Sequence, residues 1–205
     1  MSPSQTRLVE AATTCFVRYG LRKTTMSDIA QEAGVSRPTL YAHYRSKDEI
    51  LTATLLHMGA RSLEDTRKAW AHQTRLDDML DAYFDTGVRK AFALLQTATD
   101  ARDLISGHNE AGRAALLQVQ IEKRNALIEI LEPYQSALAD HGQRVDQLAH
   151  YIVVAGTQLK YVAVNEEDLD ELIATLIATT LAVTGAHARN NSDAPAPHPE
   201  VSRPA

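Results

Sequence analysis

Cysteine is almost missing from this chain of 205 residues: Cys15 is the only one. A lone thiol cannot close an internal disulfide or build a structural zinc site, so disulfide-stapled and zinc-finger folds are out and a reducing cytoplasm is expected. Also lacking is any uninterrupted apolar run near the roughly 18 residues a membrane span needs, and the first residues do not have the basic-then-apolar layout of a secretory leader. No stretch alternates with a period of two, so strands are not expected. The signatures of common enzyme chemistries are absent too: no Walker loop, no glycine-rich dinucleotide fingerprint, no His-Glu-x-x-His, no serine elbow. The eight histidines (43, 57, 72, 108, 141, 150, 187 and 198) show no metal-ligand spacing. No metal, no cofactor and no enzymatic role are expected.

What is present is ordinary globular material, 44% apolar and 23% charged, enough for one compact unit or a small module joined to a larger one. The net charge of −5 is unevenly spread. Residues 1–50 hold seven Lys/Arg against five Asp/Glu, whereas the remaining 155 hold 14 against 21. A mildly basic head on an acidic body fits a DNA-binding end attached to something that must not bind DNA.

Helical periodicity runs through nearly the whole chain. Leu8, Val9, Ala12, Cys15, Phe16 and Tyr19 share one face of a 3.6-residue repeat, closed by Gly20. Cys15 on that stripe reads as packing rather than as a nucleophile. Thr25 caps a short helix with Asp28 three residues on, Gly34 breaks it, Ser36 caps the next, and Pro38 is tolerated in that helix's first turn. Ser46 opens a fourth helix. Longer helices are predicted over 46–72, 76–98, 110–141, 144–164 and 167–185, with a short piece around 100–106 and a kink at Pro133. Gly142 and Gly185 stand at C-cap positions. From Asn190 onward a polar, Pro-rich run reads as a disordered tail. The expected architecture is all-α: a helix-turn-helix head (1–50, motif about 25–44), a helical ligand-binding and dimerisation body (51–188), and a tail (189–205).

Two short helices around a glycine-bearing turn make a helix-turn-helix whose second helix would enter a major groove N-terminal end first. That end carries Ser36, Arg37, Pro38 and Thr39. Arginine can bond guanine O6 and N7 together, and threonine offers thymine a hydroxyl and a methyl. Leu40 is the buried anchor, and Tyr41, His43, Tyr44 and Lys47 supply donors that could follow a phosphate backbone.

The stretch from Gly20 to Leu51 resembles the TetR/AcrR family signature, with Thr24-Thr25, Ile29-Ala30, Ala33-Gly34-Val35-Ser36, Thr39-Leu40-Tyr41, Tyr44 and Lys47 at the family's spacings. The resemblance implies a homodimeric transcriptional regulator, usually a repressor, released from a palindromic double-stranded operator when a small-molecule effector enters the C-terminal domain. It casts Thr25, Tyr41 and Lys47 as phosphate contacts, Arg37, Thr39 and His43 as candidates for base edges, and Tyr44 in a mixed packing and backbone role. Pro38 and Tyr44 depart from the residues more usual at their positions, which leaves the operator sequence open. A rival reading is a helical small-molecule sensor or carrier whose head no longer binds DNA.

In the body, the strongest apolar stripes are Leu148, Ile152, Gly156 and Leu159, and Leu169, Leu172, Ile173, Leu176 and Ile177. They pair across a twofold axis or bury against the body's own core; the resemblance favours the dimer. Candidate cavity residues are Trp70, Met79, Tyr83, Phe84, Phe92, Gln118, Asn125 and Tyr151, most of them equally explained as core. Few charges fall on the inner faces in this phasing, so a mainly apolar effector is expected. The acidic run Glu166, Glu167, Asp168, Asp170 and Glu171 reads as a solvated first helical turn rather than a cation site.

Overall fold

A computed structural model of the chain describes residues 1–97 and 110–187, and every regular element among them is helical. The expected short piece at 100–106 and the tail at 189–205 lie outside the described residues. Three short helices come first: α1 (Pro3–Tyr19), α2 (Met26–Glu32) and α3 (Arg37–His43). Then follow α4 (Lys47–Trp70), α5 (Leu76–Phe84), α6 (Lys90–Thr97), α7 (Glu110–Leu131), α8 (Gln135–Asp140), α9 (Val145–Val162) and α10 (Glu166–Thr184). Among the described residues, no helix is long and apolar enough to cross a membrane.

The starts and stops follow local chemistry. Ser46 and Asn165 accept hydrogen bonds from the amides of Glu49 and Asp168, supplying partners that the first helical turn lacks. Gly20, Gly34, Gly142 and Gly185 all have positive φ, at 79°, 62°, 66° and 68°, a region that costs a side chain energy but not glycine. Pro133 acts as expected in kind: α7 stops at Leu131, a 3₁₀ turn spans Glu132–Tyr134, and α8 resumes.

The helix expected over 76–98 has a feature that periodicity did not show. A π turn at Asp85–Arg89 joins α5 to α6. Such a bulge disturbs the regular i→i−4 ladder, and here Ser62 Oγ donates to the Thr86 carbonyl at 3.1 Å while Thr86 Oγ1 meets Thr66 Oγ1 at 2.6 Å.

Two cores result. One joins α1–α3 to the start of α4, with Phe16, Ile29, Leu40, Ile50 and Leu51 at its centre and Ala115 of α7 added from outside. The other holds Phe84, Phe92, Leu127, Leu131, Ile152 and Ile173. Helix α4, 24 residues and so about 36 Å long, begins in the first core and ends in the second. Trp70 Nε1 donates to the Met79 carbonyl at 2.7 Å, fastening α4's end to α5. Where α4 packs on α7, Gly59 leaves room for Val119, whose Cγ1 would sit 2.7 Å from an added Cβ. The head's core therefore reaches beyond residue 50 and into α7.

Candidate functional site

In the helix-turn-helix, Thr25 Oγ1 accepts from the Asp28 amide at 3.2 Å, and Asp28 Oδ2 accepts from the Thr25 amide and hydroxyl at 2.8 Å each. Those bonds, the backbone one foremost, hold the Asp28 carboxyl below its usual range. The turn closes with the Val35 amide donating to the Ala30 carbonyl at 3.0 Å. A Cβ on Gly34 would both strain the backbone and lie 2.9 Å from Arg7 Nη2. Ser36 Oγ accepts from the Thr39 amide at 3.3 Å and meets the Thr39 hydroxyl at 2.7 Å. With Leu40 fully buried beneath it, α3 cannot roll.

Of the nine residues expected to face DNA, Thr25, Ser36, Arg37, Pro38, Thr39 and Tyr41 are exposed, and His43 and Lys47 are half-buried. Two depart from the roles expected of them. Tyr44 is buried in the head's core, only 6% exposed, with its phenol pushed up by desolvation, so packing is its visible role. Lys47 turns its ammonium inward and donates to the carbonyls of Leu21, Thr24 and Arg22 at 2.9, 3.1 and 3.4 Å. It ties the loop before α2 to the start of α4, and three carbonyls take the donors that a phosphate would use.

The second feature is a cavity of about 700 Å³ between α4, the π turn, α6, α7 and α9, which reaches Glu10 and Thr13 of α1. None of the eight residues selected from the sequence lines it. Trp70, Tyr83, Phe84 and Phe92 are buried in the body's core with Met79 packed against it, while Gln118, Asn125 and Tyr151 are exposed. At those positions the large apolar side chains pack into the body's core rather than face the cavity. The wall is built instead from other residues, among them Leu55, Met58, Gly59, Gly87, Leu116 and Val119.

The expectation of few inner charges also fails. Lys123 of α7 and Lys160 of α9 both line the cavity. Burial pulls the Lys123 ammonium below its usual value. For Lys160, burial first and the nearby Lys123 second bring the value down to about 8. Partial compensation comes from aromatic faces: Lys160 Nζ lies 5.1 Å from the Tyr161 ring centroid and Lys123 Nζ 6.0 Å from that of Tyr83. A signal for both was available. Lys123 is four residues from both Val119 and Leu127, and Lys160 is four from Gly156, so each interrupts an apolar stripe.

The two stripes offered as a dimer face mostly turn inward. Leu148, Ile152, Gly156, Leu169, Ile173 and Leu176 are buried within the protomer, and only Leu159, Leu172 and Ile177 are half-buried. Gly156 is held against Phe84, whose Cε1 would lie 2.9 Å from an added Cβ. The outer face of α9 shows Tyr151, Val154 and Val162 instead, exposed by 57%, 40% and 63%. In the acidic run, Asp168 Oδ2 accepts from the Val164 amide at 2.8 Å and Asp170 pairs with Arg89 at 2.7 Å. No group of three or more potential metal ligands occurs among the described residues. Cys15 is buried, its thiol pushed up chiefly by desolvation.

A short outward helix, capped, anchored by one leucine and set behind a glycine turn, makes this a helix-turn-helix protein. A sequence model of the bacterial regulatory proteins of the tetR family matches residues 8–54. The HTH-type transcriptional regulator TtgR of Pseudomonas putida is 33% identical over 78 residues, 38% of this chain and 35% of that protein. An uncharacterized HTH-type transcriptional regulator of Mycobacterium bovis is 30% identical over 114 residues, 49% of this chain and 60% of the other. The match thus spans between about a third and three fifths of these relatives' length. The fold itself is shared with the transcriptional regulator FadR from Bacillus subtilis, solved in complex with stearoyl-CoA, at a TM-score of 0.62 and 18% identity over 89% of this chain and 99% of that one. Over residues 8–54 the chain is similar to the bacterial regulatory proteins of the tetR family.

Proposed function

We propose that the chain is a cytoplasmic, homodimeric DNA-binding regulator, a repressor released from a palindromic operator by a small molecule in the cavity. Residues 1–50 act as the DNA-binding head and 51–188 as the ligand-binding and dimerisation body. Arg37, Thr39 and His43 read base edges from α3, Ser36 and Pro38 set its first turn, and Thr25 and Tyr41 meet phosphates. Tyr44 and Lys47 hold α3 and the loop before α2 in place beneath them. Two copies of α3 would fit successive major grooves about 34–36 Å apart.

One observation carries this reading: the cavity that could hold an effector is walled in part by Glu10 and Thr13 of α1. An occupant would touch the head as well as the body. A ligand that favours one placement of α1 over another shifts the population of DNA-competent dimers, and DNA must then weaken ligand binding by the same factor. For the dimer, the supporting surface is the outer face of α9, where Tyr151, Val154 and Val162 lie on one stripe. On α10 the exposed Thr175 and Thr179 turn their hydroxyls back to their own helix carbonyls at 2.8 Å, so they make little demand on water.

The test begins with full-length protein and sheared genomic DNA at low ionic strength. Selective retention of a few fragments and a dimer by sedimentation are expected, with Val154→Glu giving monomers that no longer retain them. Non-selective or absent retention by a well-folded dimer would defeat the regulator reading. Proven ligand binding that leaves fragment affinity unchanged would defeat the coupling.

A further inference from the structure

Arg61, Lys90, Lys123 and Lys160 all line the cavity, and the two on its α7 and α9 walls, Lys123 and Lys160, have no anionic partner among the described residues. Of the carboxylates on the cavity wall, Asp65 is already engaged with Lys90 at 3.5 Å, and Glu10 forms no ion pair among the described residues. Removing an ammonium from water without a counter-charge is costly, and two side by side repel each other as well. Methionine or leucine at either position would fill the same volume without that cost. Around the lysines the wall is mainly apolar, with Leu55, Met58, Leu94, Leu116 and Val119. A volume of about 700 Å³ suits a molecule of some size rather than a simple ion.

We propose that the cavity takes an amphipathic anion, its apolar body against Met58, Leu94, Leu116 and Val119 and its compact head, a carboxylate or a phosphate ester, between Lys123 and Lys160. This rests on the effector reading above and replaces the mainly apolar effector that the sequence leads one to expect with one that ends in a negative charge. The space at the head is kept open by Gly87 in the π turn, where an added Cβ would lie 3.2 Å from Lys123 Nζ. Charge-assisted bonds in so sheltered a place are stronger than neutral ones, so head chemistry rather than tail length should dominate selectivity.

Calorimetric titration of the full-length protein with decanoate, decyl phosphate and decanol, all below their aggregation concentrations, tests this. Both anions are expected to bind about ten- to hundredfold more tightly than the alcohol, and the tighter of the two identifies the head. In Lys123→Met and Lys160→Met the gap between anion and alcohol should shrink about tenfold or more, with decanol binding held or improved. Gly87→Ala, which keeps both charges, should weaken decyl phosphate more than decanoate because it narrows the space for the larger head. Decanol matching the anions, a gap unchanged in both lysine variants, or no binding by any of the three overturns the proposal. If a lysine variant fails to fold, the comparison of anion with alcohol on the unaltered protein still decides. Fragment retention is measured on the same preparations. Anion selectivity without DNA binding sinks the regulator and spares the cavity's chemistry, while DNA binding without anion selectivity does the reverse.

Discussion

The head and the body of this molecule treat buried polarity in opposite ways. In the head, the fully buried Thr24 hydroxyl meets the carbonyls of Gly20 and Cys15 at 2.8 and 3.1 Å, and the half-buried Lys47 is met by three carbonyls. In the body, two cavity lysines face each other's charge. The two buried side-chain atoms without a partner among the described residues, Gln73 Oε1 and Arg124 Nε, are there as well. A surface that must present α3 in one orientation gains from complete satisfaction of its polar groups. A chamber that must receive something gains from leaving a demand for it.

The strongest blow to this contrast comes from the head's core. Phe16 is fully buried, and Phe16→Ala should cost about 3–5 kcal/mol. Its effect should fall on the head: DNA-fragment retention lost, decanoate binding by the body kept, as paired calorimetry and retention assays would report. Loss of both together would mean that α4 fuses the two cores into one cooperative unit and that the contrast has no thermodynamic counterpart.

Smaller effects sharpen the head's side of the comparison. Lys47→Met strands three carbonyls, so a stability loss of about 1–3 kcal/mol is expected, with weaker retention of every sequence. A phosphate contact would instead flatten the salt dependence of binding with little change in melting, and the two outcomes separate in a thermal scan and a salt titration. Arg37→Ala should leave melting almost untouched and relax preference at one base pair by about 1–3 kcal/mol, readable by binding to operators varied one position at a time. Ser36→Ala removes the cap of α3 and should cost about 1 kcal/mol, measured as a lowered melting temperature.

The difference between head and body is also a difference in what the sequence could disclose. Caps at Thr25, Ser36 and Ser46, terminators at Gly20, Gly34 and Gly142, and the break at Pro133 all depend on neighbours within a turn or two, so residue order alone reveals them. Helix stripes were equally visible, but a stripe says only that a face is covered. Whether Leu148, Ile152 and Leu169 meet their own core or a second subunit is decided by helices distant in sequence, and here they meet their own. An aromatic on a stripe does not say whether it walls a cavity or fills a core, and Phe84 and Phe92 fill the core. The better clue was a lysine where period 3.6 demands an apolar residue, at Lys123 and again at Lys160.

The smallest expected effect concerns that pair in the empty protein. Folding brings Lys160 from its ordinary 10.5 down to about 8. Below pH 8 the lysine is charged in both folded and unfolded chains, and the folded state bears the whole cost of sheltering it. As pH rises through the folded value, the native lysine loses its proton while the unfolded one keeps it, so stability rises. Lys123 is displaced in the same direction. Opposing contributions come from groups raised by burial, Cys15 from 9.0 and Tyr44 and Tyr83 from 10.0, which favour unfolding only above those ordinary values. The clean window is therefore pH 8 to 9. Across it the melting temperature should climb slightly, by part of the roughly 1.4 kcal/mol that one full unit represents. His57, Arg61, Glu10 and the Asp65–Lys90 pair also face the cavity, but their contribution should survive Lys160→Met, whereas the climb should not. Saturating decanoate should abolish it as well, because a bound carboxylate restores the lysine's hold on its proton. A climb that persists with the anion bound would place the ligand's charge away from Lys160.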